Sequence, residues 1–485
     1  MMAREVKPRT QPAIQLPDVR RRNFDEVIKG YTLEEAMAES ARCILCKNAR
    51  CQAACPLHNQ IPSWMAQLQQ GNLEEAYKII RQISPMPELC SRLCPQERLC
   101  EGSCAIGIKN EPVAIGLLER FICDQNRDMI ASIGQEARAK TKSDRKRVAA
   151  IGSGPASLAF AQRMALEGHD VIVFERWPRL GGVLRWIPRF KLPIDVLELH
   201  LDMLKGLGVK FYTNTEVRWV EQLITDEGFD GAFIGIGAST ASIPDIPGVS
   251  FGGILSSTEF LVRTFYDKKE LPEDWEPIAD LIGKNVAVLG GGDSAMDCVR
   301  SGIRLGAANV TCVYRRDEAN MPGSKKEVKA AKEEGVDFQI LASPTAFLSK
   351  DGHAVSQVEC VRMELGAPDA SGRRSPKPIS GSNFFVDADI VVLAFGYEVE
   401  AVFDIEHLQL MAPPKGTIKA NPISGATPLK GIFAGGDCVS GANLVCTAAK
   451  AGIAAAQGML RYFQGENWDA LMKAEGAPTG AKTAT

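Results

Sequence analysis

A chain of 485 residues is too long for one ordinary core, and at about 150 residues per domain it implies roughly three. Hydrophobic residues at 45% and charged residues at 24% are ordinary globular usage and argue against a disordered or fibrous chain. A net charge of −3 leaves no basic footprint for nucleic acid or an anionic membrane. No run reaches the ~18 apolar residues of a membrane span, and residues 1–12 lack the apolar stretch of a secretory signal, so a cytoplasmic protein is expected.

Residues 1–140 read as a small helical domain. The Leu, Ala and Ile spacings at 32–43 and 72–83 suit amphipathic helices. Eight of the fourteen cysteines fall between Cys43 and Cys104, in two runs of short fixed spacing: Cys43, Cys46, Cys51 and Cys55, followed by Pro56, and then Cys90, Cys94, Cys100 and Cys104. In a reducing compartment such packing indicates metal rather than disulfides. Eight thiols suffice for two [4Fe-4S] clusters. Two structural zinc sites would use the same number. The Cys-Pro ending of the first run resembles ferredoxin spacing, in which the fourth cysteine serves the other cluster, and this favours iron–sulfur.

Residues 128–146 turn polar and charged and read as a linker. A plan of strand, glycine-rich turn, helix and strand then occurs twice, predicting two doubly wound (Rossmann-like) α/β units. The first turn carries Gly152, Gly154, Pro155 and Ser157, and its second strand ends at Glu175, placed to accept hydrogen bonds from a ribose. The second turn carries Gly290, Gly292, Asp293 and Ser294. Its second strand ends instead at Arg315 and Arg316, where guanidinium groups can pair with a 2′-phosphate and so point to NADPH. Two such units suit one tightly held flavin and one nicotinamide that comes and goes. Gly436 and Asp437, after an apolar strand, place a carboxylate for the ribityl hydroxyls of FAD. No Cys-x-x-Cys follows Cys46 and no cysteine pair lies near Gly182 or Asp293, so the electrons are not expected to leave through a redox dithiol.

The expected domains are a cluster-binding domain at 1–140, an FAD domain at 145–255 resuming at 387–470, an NADPH domain at 256–386 and a flexible tail at 471–485.

Over nearly its whole length the chain resembles the small (β) subunit of NADPH-dependent glutamate synthase. The resemblance is carried by the Cys90-Ser-Arg-Leu-Cys94-Pro-Gln-Glu-Arg-Leu-Cys100-Glu run, by Gly181-Gly182-Val-Leu, by Ile187-Pro-Arg-Phe-Lys-Leu192 and by residues 290–316 with Asn320-Met-Pro-Gly-Ser324. Arg185-Trp186 stands before Ile187 where the family usually has a glycine. The large subunit of ferredoxin:NADP+ transhydrogenase and the N-terminal half of dihydropyrimidine dehydrogenase share the architecture. The resemblance implies domains of the disulfide-reductase type, FAD, NADPH and two [4Fe-4S] clusters, one on Cys43, Cys46, Cys51 and Cys104. It places the second on Cys55, Cys94 and Cys100 with Glu119, whereas the residues alone favour Cys90 as the fourth ligand. It also implies hydride transfer from NADPH to flavin and single electrons passing to a partner in a hetero-oligomer. That partner would be a large glutaminase/synthase chain with FMN, since residue 2 is Met rather than the cysteine of such glutaminases. A stand-alone NAD(P)H reductase or a transhydrogenase subunit, with a small flavoprotein partner and ferredoxin as acceptor, is the alternative, and a zinc-stapled module without turnover is a third reading.

Overall fold

The computed structural model describes residues 7–130, 144–368, 374–400, 410–412 and 416–475. In the N-terminal part, Thr32 caps the helix Leu33–Ser40 reciprocally: its hydroxyl accepts from the Glu35 N–H at 3.2 Å, and the Glu35 carboxylate accepts from the Thr32 N–H at 2.8 Å. The helices Ile61–Gln69 and Leu73–Ile83 pack as a pair, as do Pro87–Leu93 and Ile115–Gln125, burying Trp64, Leu68, Tyr77 and Leu118 between them.

The first α/β unit is a five-stranded parallel sheet in the spatial order Ile432–Ala434, Gly231–Ile234, Arg147–Ile151, Asp170–Phe174, Lys210–Tyr212. Buried Val, Ala and Ile on both faces of Arg147–Ile151 make it the central strand, and the helix Pro155–Leu166 leaves its C-terminal end. That helix packs closely on Val445–Phe463, because a Cβ at Gly452 would lie 2.0 Å from the Ala156 carbonyl oxygen.

The second unit repeats the plan in the order Asp337–Ile340, Asn309–Tyr314, Asn285–Leu289, Ile390–Leu393, Ile254–Ser256. Here the structure corrects two expected boundaries. Ile390–Leu393, read as the start of the returning first unit, pairs in parallel with Asn285–Leu289 and belongs to the second sheet, as does Ile254–Ser256. An apolar run marks a buried strand but not which sheet it joins, and only the pairing decides. The crossing between units is made by Thr240–Ala241 and Tyr397–Glu398, which pair antiparallel. A three-stranded antiparallel sheet, Ala342–Leu348, Gln357–Pro368 and Arg374–Asp387, is inserted in the second unit. The stretch read as a tail from 471 begins inside the helix Trp468–Met472 with Leu471 buried, and its end from 476 lies outside the described residues, as do 131–143 of the linker. Among the described residues no helix is long and apolar enough to cross a membrane.

A buried ionic junction ties the three parts together. Glu334 accepts hydrogen bonds from Arg300 Nη2 at 2.8 Å, Arg304 Nη1 at 2.6 Å and Arg20 Nε at 2.9 Å. Arg20 comes from the N-terminal arm, and Phe190 of the first unit lies beneath the guanidinium groups of Arg300 and Arg304, 4.4 and 4.0 Å from its ring centre. Beside it Lys191 of the first unit meets Asp297 of the second at 2.7 Å. Burial by itself would raise the Glu334 carboxyl, but the hydrogen bonds and charges of Arg304 and Arg300 outweigh it and hold the group down, from 4.5 to about 2. Its stabilisation is therefore complete above about pH 4.5 and lost as pH falls through about 2. Glu334→Gln should leave the three guanidinium groups without their counter-charge and cost about 3–5 kcal/mol, read as a lower urea midpoint at pH 7. The deficit relative to the parent should shrink as the pH approaches 2.

Candidate functional site

Both glycine turns have the geometry of a phosphate-binding loop. Gly152 has φ +87°, and a Cβ there would come 2.7 Å from the Gly235 carbonyl oxygen; at Gly290 the equivalent Cβ would lie 2.3 Å from the Ala394 carbonyl oxygen. The last glycine of each turn faces open space, since a Cβ on Gly154 or Gly292 would meet nothing within 4 Å. The first turn thus has one glycine demanded by crowding and the second has two, since a Cβ on Gly291 would come 2.6 Å from the Tyr314 ring, and each turn keeps one glycine that leaves the backbone open to a ligand. Pro155 and Asp293 begin the two helices, whose first N–H groups point toward that opening. Ser157 is fully buried and packs the helix onto its sheet, its hydroxyl 3.4 Å from the Gly235 carbonyl.

Glu175 is held at the end of its strand by the Ser153 N–H at 2.9 Å, the Ser153 hydroxyl at 2.5 Å and the Trp177 N–H at 2.9 Å. The same hydroxyl accepts from the Gly181 N–H, and Gly182 backs onto Gly154, so Ser153, which the motif spelling treats as a spacer, braces the whole loop. Gly436, at φ +82°, leads into the helix Asp437–Ser440. Asp437 accepts from the Asn443 N–H, but its Oδ1 is buried without a partner, and burial pushes the carboxyl up to about 6. An orphaned carboxylate oxygen at a cavity wall is a vacant acceptor for hydroxyl donors of a ligand.

These elements line one cavity of about 520 Å³. Gly152, Gly154, Glu175, Gly182 and Asp437 lie on one side, Gly292, Asp293 and Ser294 on another, and Cys94 and Arg98 of the helical part on a third. Trp186 also lines it, though its ring packs into the core of the second unit. Tyr397, from the crossing strand, donates or accepts a 2.8 Å bond with Ser257 at the same wall. At the C-terminal end of the strand beside the second turn, Arg315 is exposed and Arg316 half-buried. Neither guanidinium has a hydrogen-bond or ion-pair partner among the described residues, and the Arg316 Nε is buried and unsatisfied, which fits a polyanionic ligand.

The cysteines separate into two groups. Cys43, Cys46, Cys51 and Cys104 converge on one pocket walled by Ile44, Ile61, Pro62, Ile106 and Ile115. Cys55, Cys100 and Cys90 surround Glu119, and Cys90 lies against Cys94. Glu119 accepts from the Asn59 Nδ2 at 3.1 Å, and burial pushes its carboxyl up to about 8. Burial likewise pushes the thiols of Cys51 and Cys55 up, to about 11 and about 12. Among the described residues no three His, Cys, Asp or Glu side chains gather as ligands of a single metal ion. Cys446, in the first turn of Val445–Phe463, joins the second group beside Cys94. Sequence spacing carries no signal for it, because it lies far beyond the two cysteine runs and in no such run of its own.

The chain matches the pyridine nucleotide-disulphide oxidoreductase family over residues 146–452, and dihydropyrimidine dehydrogenase domain II, 4Fe-4S cluster, over residues 20–131. It is 37% identical over 466 residues to the glutamate synthase [NADPH] small chain of Escherichia coli (strain K12), covering 94% of this chain and 97% of that one. It is 40% identical to the putative oxidoreductase AegA of the same organism, covering 96% of this chain and 72% of that one. Among solved structures it resembles Mycobacterium tuberculosis FprA in complex with NADPH, with a TM-score of 0.56 and 18% identity, over 68% of this chain and 87% of that one.

Ionised with its Oδ1 unpartnered, Asp437 costs the flavin-free protein stability as pH rises from about 3.8, in full above about 6. Asp437→Ala should therefore leave the thermal midpoint of flavin-free protein unchanged or higher at pH 7, while flavin retention after desalting falls at least tenfold, read from flavin absorbance per chain. Undiminished retention would remove Asp437 from the site.

Proposed function

The chain belongs to the pyridine nucleotide-disulphide oxidoreductase family and is a homologue of NADPH glutamate synthase small chains, and on that premise we propose that it is the electron-input subunit of a larger enzyme. It is an NADPH-dependent oxidoreductase. The reading rests on one observation above the others: a single cavity joins both glycine turns and reaches Cys94 of the cysteine field.

In this reading FAD is held by Gly152, Gly154, Pro155 and Ser157 at the first helix start, with Glu175, Gly182, Gly436 and Asp437 around it. NADPH lies over Gly290, Gly292, Asp293 and Ser294, with Arg315 and Arg316 on its 2′-phosphate. Cys43, Cys46, Cys51 and Cys104 hold one [4Fe-4S] cluster; Cys55, Cys94, Cys100 and Glu119 hold the second, with Cys90 packed behind Cys94. When bound, the flavin supplies the conversion of a hydride from NADPH into single electrons for the clusters. The chain's own residues position and shield: Ser153 and Glu175 fix the first loop, Trp186 closes the wall between units, and no side chain is required to move a proton. The partner that receives the electrons is a separate chain, and the near full-length similarity to glutamate synthase small chains favours a large glutaminase/synthase chain with FMN.

Replacing Arg315 and Arg316 together by alanine should weaken NADPH binding by roughly 10- to 100-fold, leave NADH binding within about twofold and so collapse the NADPH preference. An unchanged preference ratio would sink that assignment. Anaerobic affinity purification from the native host should yield one FAD and about eight irons per chain, together with a large co-purifying polypeptide of glutaminase activity. Four irons would remove one cluster, and absence of that polypeptide would put a ferredoxin or small flavoprotein in its place.

A further inference from the structure

The short helix Gln96–Arg98 lies between Cys94 and Cys100, and all three of its residues touch the second α/β unit. Gln96 Oε1 accepts from Lys326 Nζ at 3.0 Å, and Glu97 Oε1 accepts from the Ser324 hydroxyl at 2.5 Å. Arg98 Nη1 donates to the Pro322 carbonyl at 2.7 Å. The loop is stiff: Gln96 Nε2 donates to the Ser91 carbonyl at 2.9 Å, and a Cβ at Gly102 would lie only 2.2 Å from the Glu97 carbonyl oxygen. Its one long cation is therefore delivered to a fixed place, the cavity wall beside Gly292, Asp293 and Ser294.

What surrounds the Arg98 guanidinium there leaves its charge largely uncompensated. Its anchor, the Pro322 carbonyl, is neutral. Its one carboxylate partner among the described residues is Asp293 Oδ2 at 3.4 Å, and with the two side chains 45% and 40% exposed this pair is weak and easily exchanged. The Asp293 Oδ1 is already taken by the Ser324 N–H at 2.9 Å. Asp293 itself is the first residue of its helix, so an anion approaching the helix start meets a negative charge that the helix dipole only partly offsets. A guanidinium at the same wall lessens that conflict and offers further donors to the anion.

We propose that Arg98, carried on the loop between two cysteine ligands, binds the pyrophosphate of the nicotinamide dinucleotide, so that the iron–sulfur domain completes the NADPH site. The inference rests on the functional reading above. It gives the cofactor site a residue from a domain whose other task is to carry electrons away, and it makes dinucleotide affinity sensitive to how that domain is seated. Because the pyrophosphate is common to both dinucleotides, Arg98 contributes equally to NADPH and NADH. This separates its role from that of Arg315 and Arg316.

The test is equilibrium titration of the holoprotein with NADP+ and NAD+ by calorimetry at low and high salt. Arg98→Ala should weaken both by about 10- to 100-fold, flatten the salt dependence and leave FAD and iron content unchanged. Arg98→Lys, which keeps the charge, should recover most of the affinity. Arg98→Gln, which can still donate to Pro322, should behave like the alanine variant and shows that the loss does not come from a displaced loop. Parent-like affinity in Arg98→Ala, or a loss confined to NADP+, overturns the proposal. A parent protein that binds neither dinucleotide overturns the functional reading itself.

Discussion

Glu334 is the point on which the arrangement of this molecule depends. Its carboxylate is wholly buried, and it is tolerable there because guanidinium groups from two segments of chain converge on it, Arg20 from the N-terminal arm and Arg300 and Arg304 from the second unit. Phe190 presents its ring to two of those cations, and Lys191 next to it pairs with Asp297, so the first unit is drawn into the same junction. Such an interface is unforgiving. An apolar contact can slide by an ångström at small cost, whereas a buried charge displaced from its partners pays its full desolvation. The junction therefore sets the seating of three parts, and the cavity between them exists only in that seating.

Within the cavity, negative charge is handled in three ways. Glu175 is satisfied by its own loop, through Ser153 and Trp177, and serves as a brace as well as a wall. Asp437 keeps one oxygen unsatisfied, and its carboxyl rises accordingly. Asp293 stands at a helix start and is paired only weakly, at 3.4 Å, with Arg98 of the helical part. The second is the arrangement of a group waiting for donors, the third that of a group whose neighbour is waiting for an anion. Arg316, with a buried unsatisfied Nε, belongs with the latter.

The cysteine field makes two distinct environments from one sequence pattern. The first group opens to a pocket walled by isoleucines, while the second is enclosed further and includes the buried Glu119 and, from the far end of the chain, Cys446. The second group also borders the cavity through Cys94, which places it on the shorter route from the dinucleotide turns.

Much of this was legible in the residues because the governing rules are local. A glycine demanded by backbone crowding, a proline at a helix start and an apolar strand before each turn are fixed within about ten residues, so Gly152, Gly154, Gly290 and Gly292 could be found by spacing alone. Cysteine runs are local in the same way. What the sequence did not determine is which distant pieces meet. Ile390–Leu393 reads equally well in either sheet until it pairs with Asn285–Leu289. Arg98 reads as a loop charge until Pro322 and Asp293 arrive beside it, and Cys446 as a stray thiol until Val445–Phe463 packs near Cys94. Those meetings depend on long-range packing and on a buried charge that leaves a single seating, and no short-range pattern encodes either.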